Sequence, residues 1–263
     1  MKAPPPRRLG DISREAYIFL GAGAAVLLQM AQPGVGLGVA EHSATLQRPL
    51  DRLRTTMTYI YALTLGTEEE RRAIAALVNR AHKPVRSDRY SAFDPRLQLW
   101  VAATLYRGGA VLTDLFHGPL AAEDAEALYR EAAVYGTALQ MPPSAWPADR
   151  AAFERYWSDM LQNLQVEEPV RRYVHALLDG GAVPWWLRFL MPLQRFATRG
   201  LLPAQVRAAY GLPWTEADQR RWDRFCLWAP RLYRWTPGFL RHLPARLVLA
   251  GMRRRMAGHR RVI

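Results

Sequence analysis

His82 is the residue in this chain whose position most invites chemistry. Thr67-Glu68-Glu69-Glu70 has the form of a capping box, with threonine at the N-cap and glutamate three residues on, and predicts a helix through about Ala81. Its apolar stripe runs Ile74, Leu77, Val78 and Ala81, and His82 follows four residues after Val78, in the last turn before Lys83-Pro84. An imidazole on an inward face needs a hydrogen bond, a carboxylate or a metal. One histidine cannot build a zinc or non-haem iron site unaided, but it can supply the single axial ligand of a haem; a satisfied core histidine is the plain alternative.

A second constellation lies upstream, in Asp51-Arg52-Leu53-Arg54-Thr55-Thr56. On a helix Arg52 and Thr56 share one face and Thr55 and Tyr59 the next. A cation and a hydroxyl turned inward together are unusual, because arginine is seldom buried without an anionic partner. Either Arg52 pairs with Asp51, Glu41 or Asp94, or the patch hydrogen-bonds a bound oxygen species or a propionate. The chain has no P-loop, GxGxxG, HExxH or GxSxG motif and no EF-hand spacing. The lone Cys226 rules out an internal disulfide and a multi-thiolate zinc cluster.

The elements that must carry these residues read as helices throughout. No run alternates as a half-buried strand does. Asp94-Pro95 supplies an N-cap and an N1 proline before a helix over Leu97–Phe116. Further helices are predicted over Glu123–Leu139, from Trp146-Pro147 to Leu161, over Glu167–Leu178 with Gly180-Gly181 as its stop, and over Pro184–Arg199, Pro203–Tyr210 and Thr215–Trp228. With no repeat or long linker, the expectation is one all-α domain of many short crossing helices, with residues 1–230 as its body and residues 231–263 as a basic amphipathic segment.

Residues 16–40 carry no charge, which is long enough to span a bilayer. Five glycines, Gln29, Gln32 and Pro33 make that stretch a poor lipid-facing helix, so it reads as a buried core helix broken at Pro33. Asp11 and Glu15 stand where a signal peptide would be basic, and Arg7-Arg8 is a weak start for a twin-arginine signal, so the chain reads as cytoplasmic. Half of the residues are hydrophobic and 22% are charged, which excludes a disordered chain and a collagen-like fibre. Only Lys2 and Lys83 are lysines among 36 cations, so the net charge of +13 is an arginine charge. Nine of those arginines lie in residues 231–263, which hold no acid; 13 − 9 leaves +4 for residues 1–230.

The order of segments resembles the family of rubber oxygenase (latex-clearing protein) and the MpaB-type oxygenases. The resemblance is carried by Arg14, the glycine-rich stretch from Gly21 to Gln29, Gln32-Pro33, Glu41-His42-Ser43, Arg52-Leu53-Arg54-Thr55-Thr56 and His82. Tyr90-Ser91-Ala92-Phe93-Asp94-Pro95, Leu99-Trp100-Val101, Leu202-Pro203, Val206-Arg207 and Tyr210-Gly211-Leu212 extend it. The resemblance implies a globin-like all-α core around haem b, with His82 as the proximal iron ligand. The family's distal Arg-x-x-Lys-Thr motif falls on residues 52–56, with Arg52 and Thr56 matching and Thr55 in place of the lysine. That lysine can coordinate iron in rubber-cleaving members, so this chain should lack that ligand, which puts rubber cleavage in question.

The implied activity is haem-dependent oxidation of a hydrophobic substrate (isoprenoid, lipid or natural product) by dioxygen or a peroxide. Arg52 and Thr56 would donate to bound oxygen or to a propionate, with Thr55 beside them. Glu41 and His42 are the nearest candidates to carry protons, and Gln29 either caps the pocket or satisfies backbone in the broken helix. A non-catalytic binding or accessory protein of the same fold is the alternative. The arginines of residues 231–263 alternate with Trp235, Phe239, Leu240, Leu243, Leu247, Val248 and Leu249. Such a segment either packs on the core by its leucines or lies on an anionic membrane, peripheral to the inner face; nucleic acid ranks last.

Overall fold

The structure is a computed structural model and describes residues 5–258. The helices run α1 (Leu9–Ser13), α2 (Ala22–Met30), α3 (Pro33–His42), α4 (Pro49–Leu65), α5 (Glu68–His82), α6 (Pro95–His117), α7 (Ala122–Ala132), α8 (Val134–Thr137) and α9 (Arg150–Gln162). They continue as α10 (Glu168–Asp179), α11 (Met191–Leu201), α12 (Ala204–Ala209), α13 (Glu216–Tyr233), α14 (Gly238–Arg241) and α15 (Leu243–Ala257), with short 3-10 turns between some of them. Among the described residues there is no strand, only one isolated bridge between Arg86 and Ser91. The fold is all-α, a single domain of short crossing helices.

Most of the expected punctuation is used. Thr67 and Glu70 form the capping box of α5, Asp94 caps α6 onto Arg96, and Gly180 closes α10 in the left-handed conformation (φ 67°, ψ 28°). Four stretches differ from expectation. The stretch read as one helix from Glu123 breaks at Ala133 into α7 and α8. Trp146-Pro147 does not open α9; Asp149 does, by accepting from the Ala152 amide at 2.7 Å. Residues 185–190 form a 3-10 turn ahead of α11, and α13 continues through Pro230 to Tyr233.

The centre of the molecule is the broken pair α2 and α3, packed against α6, α10 and α11. Ala24, Leu27, Leu28 and Met30 are buried, so the uncharged stretch is core, as its glycines implied. The two helices meet at 107°, and among the described residues no single helix is long and apolar enough to cross a membrane. Pro33 has no amide to continue the ladder, and the last carbonyls of α2 must find partners elsewhere. The Tyr210 hydroxyl donates to the Leu27 carbonyl at 2.8 Å and the Trp100 indole to the Leu28 carbonyl at 3.1 Å. Both aromatic side chains are fully buried, so the break in the backbone is repaired by side chains from distant segments.

α15 lies across α4. Ala245 and Met252 are buried there, and Arg253 donates to Glu70 of α5 at 2.6 and 3.2 Å. Residue 230, where the sequence suggested a boundary, lies inside α13. His259, Arg260 and Arg261 of the basic segment lie outside the described residues.

Candidate functional site

α4 and α5 form an antiparallel-looking pair in sequence order, joined by the Gly66-Thr67 turn, and pack through Ala62 and Ile74. This places Arg52, in the second turn of α4, in electrostatic range of His82, in the last turn of α5. The α5 stripe is inward at Ile74, Leu77 and Val78, but Ala81 is exposed, because the helix is already leaving the core there. His82 is half-buried and its Nδ1 is fully enclosed without a hydrogen-bond partner. Burial, and secondarily the charge of Arg52, push its pKa down to about 4, so the imidazole is neutral with a lone pair free. Among the described residues no acceptor meets Nδ1 to orient the imidazole.

The three carboxylates considered as partners for Arg52 are each engaged elsewhere. Asp51 pairs with Arg54 at 3.7 Å, Asp94 with Arg96 at 3.0 Å, and Glu41 accepts from the Tyr90 hydroxyl. The Arg52 guanidinium makes no hydrogen bond or ion pair among the described residues. Protein surrounds it closely enough to lower its pKa by desolvation, yet the side chain still reaches open space. Arg52, expected to turn inward with Thr56, is thus an exposed residue, its guanidinium open to solvent. Tyr173 of α10 stands near it, only 8% exposed, with its hydroxyl buried and unpartnered. Two buried polar atoms without partners, His82 Nδ1 and the Tyr173 hydroxyl, are a costly arrangement, and the exposed Arg52 guanidinium adds a charge beside them.

The remaining candidates take other places. Thr56 is half-buried one turn beyond Arg52. Thr55 Oγ1 donates back to the Asp51 carbonyl at 2.8 Å, so its hydroxyl is spent within α4. Gln29 donates to Thr104 Oγ1 at 3.0 Å, between α2 and α6. Glu41 and His42 are both exposed at the end of α3; His42 meets the Tyr90 ring edge-on with centroids 6.2 Å apart. Tyr90 belongs to the turn that follows His82. Val85 N donates to the His82 carbonyl at 2.9 Å, and Val85 and Tyr90 pack at 3.4 and 3.3 Å on the space a Cβ at Gly38 would occupy. The glycine of α3 therefore allows the His82 turn to close onto Glu41. Among the described residues no three His, Cys, Asp or Glu side chains gather as a metal site.

Tyr173 escaped the sequence reading. It lies on the apolar face of its helix with Val170 and Val174, and nothing in that spacing separates a hydroxyl with a task from a core tyrosine. Also unforeseen was the buried Glu15. It accepts from the Tyr233 hydroxyl at 2.7 Å, lies 3.0 Å from His242 Nε2 and 3.8 Å from Arg241. His175 serves the fold, with its Nε2 2.9 Å from the Tyr210 carbonyl.

This helical body is that of an oxygenase-type catalytic domain. The chain belongs to the family described as ER-bound oxygenase mpaB/B'/rubber oxygenase, catalytic domain, which matches residues 11–231. It is 42% identical over 210 residues to the uncharacterised protein Rv2237 of Mycobacterium tuberculosis, across 76% of this chain and 82% of that one. The uncharacterised protein Mb2261 of Mycobacterium bovis is similar to the same extent. No solved structure matches the chain at a significant level.

Proposed function

We propose that the chain is a haem b-dependent oxygenase of a hydrophobic substrate, an isoprenoid, lipid or natural product, with dioxygen or a peroxide as oxidant. The observation that carries this reading is the trio of unpartnered polar groups: a neutral His82 imidazole, the Arg52 guanidinium without an anion, and the Tyr173 hydroxyl. These fit the group. A free imidazole could bind a haem iron, and an unpaired guanidinium near it could hold an anionic oxygen such as a propionate. Haem bound there supplies oxidant activation, which no side chain of this chain can perform.

The protein's part is ligation, orientation and polarity. His82 holds the iron. Arg52 donates to an anionic oxygen and so fixes either the cofactor or the oxidant. Thr56 adds a hydroxyl on the same face of α4, and Tyr173 can donate from α10. Glu41, held by Tyr90 at the end of the His82 turn, is exposed and able to exchange protons with water. With Thr55 where the family has lysine, and its hydroxyl tied to the Asp51 carbonyl, this segment offers no amine that could bind a haem iron.

The absorption spectrum of the purified chain after haem supplementation tests this. A Soret band is expected, and its absence overturns the reading. His82→Ala should abolish or shift the band; an unchanged spectrum would move the ligand elsewhere.

A further inference from the structure

Thirteen of the fourteen large hydrophobic side chains that are exposed among the described residues fall between Trp185 and Leu247; only Val111 lies outside. Apolar exposure is thus confined to one arginine-rich part of the chain. Residues 224–258 carry no acid at all. Within this part a cleft of about 300 Å³ opens between the C-terminal ends of α6 and α13, and His117, Arg231, Arg234 and Arg241 line it together with Cys226 and Tyr233. No carboxylate lines it.

Among the described residues two of the three cleft arginines, Arg231 and Arg234, have no carboxylate partner, while Arg241 is paired with the buried Glu15. Arg231 donates to the Leu227 carbonyl and lies over the Trp228 ring at 5.5 Å. Arg241 lies over the Tyr233 ring at 5.6 Å and pairs through one terminal nitrogen with Glu15 at 3.8 Å, which leaves its Nε enclosed and unpartnered. Arg234 makes no ion pair or side-chain hydrogen bond among the described residues. Beside the cleft, α13 and the turn after it expose Leu227, Trp228, Leu232 (68%) and Trp235 (87%). Tryptophan and leucine beside arginine stems is the composition that settles at a lipid headgroup boundary, with apolar bodies buried and guanidiniums among phosphates. A solvated face would not leave an indole 87% bare.

We propose that the α6–α13 cleft seats the phosphate of an anionic phospholipid, between Arg231, Arg234 and Arg241, while Trp228, Leu232 and Trp235 enter the bilayer surface. This relocates membrane contact from the terminal helix, whose buried face is committed to α4, to the end of α13. It does not rest on the haem reading.

Co-sedimentation of the full chain with vesicles of phosphatidylcholine, with and without phosphatidylglycerol, tests it. Two double variants accompany the wild type, Arg231→Gln/Arg234→Gln and Leu232→Ser/Trp235→Ser, both on exposed side chains, with circular dichroism as the check on folding. Anionic vesicles should bind at least tenfold more tightly than neutral ones, and each double variant should lose about tenfold or more of that binding. Raised salt should weaken it. Equal binding to both vesicles, unchanged binding by either folded variant, or insensitivity to salt would overturn the proposal. So would inorganic phosphate releasing the protein at low millimolar concentration, which would make the cleft a free-ion site. Lipid-free dimerisation abolished by Leu232→Ser/Trp235→Ser would also overturn it, by assigning the apolar rim to a second copy of the chain.

Discussion

Arg52 of α4 adds its charge to the burial that keeps His82 of α5 neutral, with a pKa near 4, and no carboxylate is arranged to relieve either group. The carboxylates that could form an ion pair, Asp51, Glu41 and Asp94, are each engaged by another residue. The pairing of each with another residue leaves a cation facing a neutral base, which suits a guest bearing negative charge. Arg52→Gln should therefore leave folding stability within about 1 kcal/mol, because the side chain still reaches open space. It should lower oxygenase turnover about tenfold or more by removing a charged donor. Chemical denaturation and turnover of the same preparation check the two halves; a large stability loss with full turnover would make Arg52 a structural residue.

Tyr173 gives the complementary case. Its hydroxyl is buried without a partner, so Tyr173→Phe removes an unsatisfied polar group at constant shape. The apo protein should gain up to about 1 kcal/mol, a rise of about 2–4 °C in Tm for a domain of this size. Haem affinity or turnover should fall. Thermal melts of apo protein measure the first effect, and a melt shifted downwards would show that the hydroxyl already has a partner.

Acid should release the last helix. Hydrogen bonds from Arg253, opposed in part by burial, hold the Glu70 carboxyl below the usual carboxylate range. A depressed folded-state pKa contributes stability that is fully present above the unfolded value of about 4.3 and is lost as pH falls through the folded value. Arg253→Gln should cost about 1–2 kcal/mol at neutral pH and flatten this acid dependence. Hydrogen exchange at residues 243–257 between pH 7 and pH 3 reads the docking directly; equal protection at both pH values would dismiss the role.

The repaired break after α2 makes a graded prediction. Trp100→Phe leaves the Leu28 carbonyl without its side-chain donor and opens space beside Trp157, whose ring lies 5.1 Å away. The expected cost is about 2–4 kcal/mol. Tyr210→Phe should cost only about 1 kcal/mol, because the Leu27 carbonyl keeps the Ala31 amide at 3.0 Å. Urea midpoints decide, and equal losses would refute the argument from carbonyl satisfaction.

Local chemistry was legible wherever a short-range rule governs it. The capping box at Thr67, the Asp94-Pro95 start and the Gly180 stop each act within one turn of helix, and each appears where the sequence placed it. The α7–α8 break at Ala133 has no such signal, because packing against α6 and α4 rather than a breaker residue sets it. Asp149 was readable as an N-cap and lost to the more conspicuous Trp146-Pro147. Within the site, the half-buried place of His82 followed from helical spacing, whereas Arg52, expected to face inward, is exposed. The absence of a salt bridge at Arg52 did not follow from spacing either, since it depends on which of several arginines and tyrosines reaches each carboxylate first. Tyr173 joins from another helix entirely, and spacing within one helix says nothing of that.

The Leu27 carbonyl and the Tyr210 hydroxyl are 183 positions apart, as are Glu70 and Arg253, and Glu15 reaches Tyr233 across 218. The N-terminal third of this chain therefore cannot finish its hydrogen bonding until segments from the last third have been made and brought back. During synthesis the centre of the molecule waits for its periphery. Closure of these long loops, rather than helix formation, should then set the pace of maturation, and a ribosome-bound chain short of Tyr210 should hold its first helices only loosely.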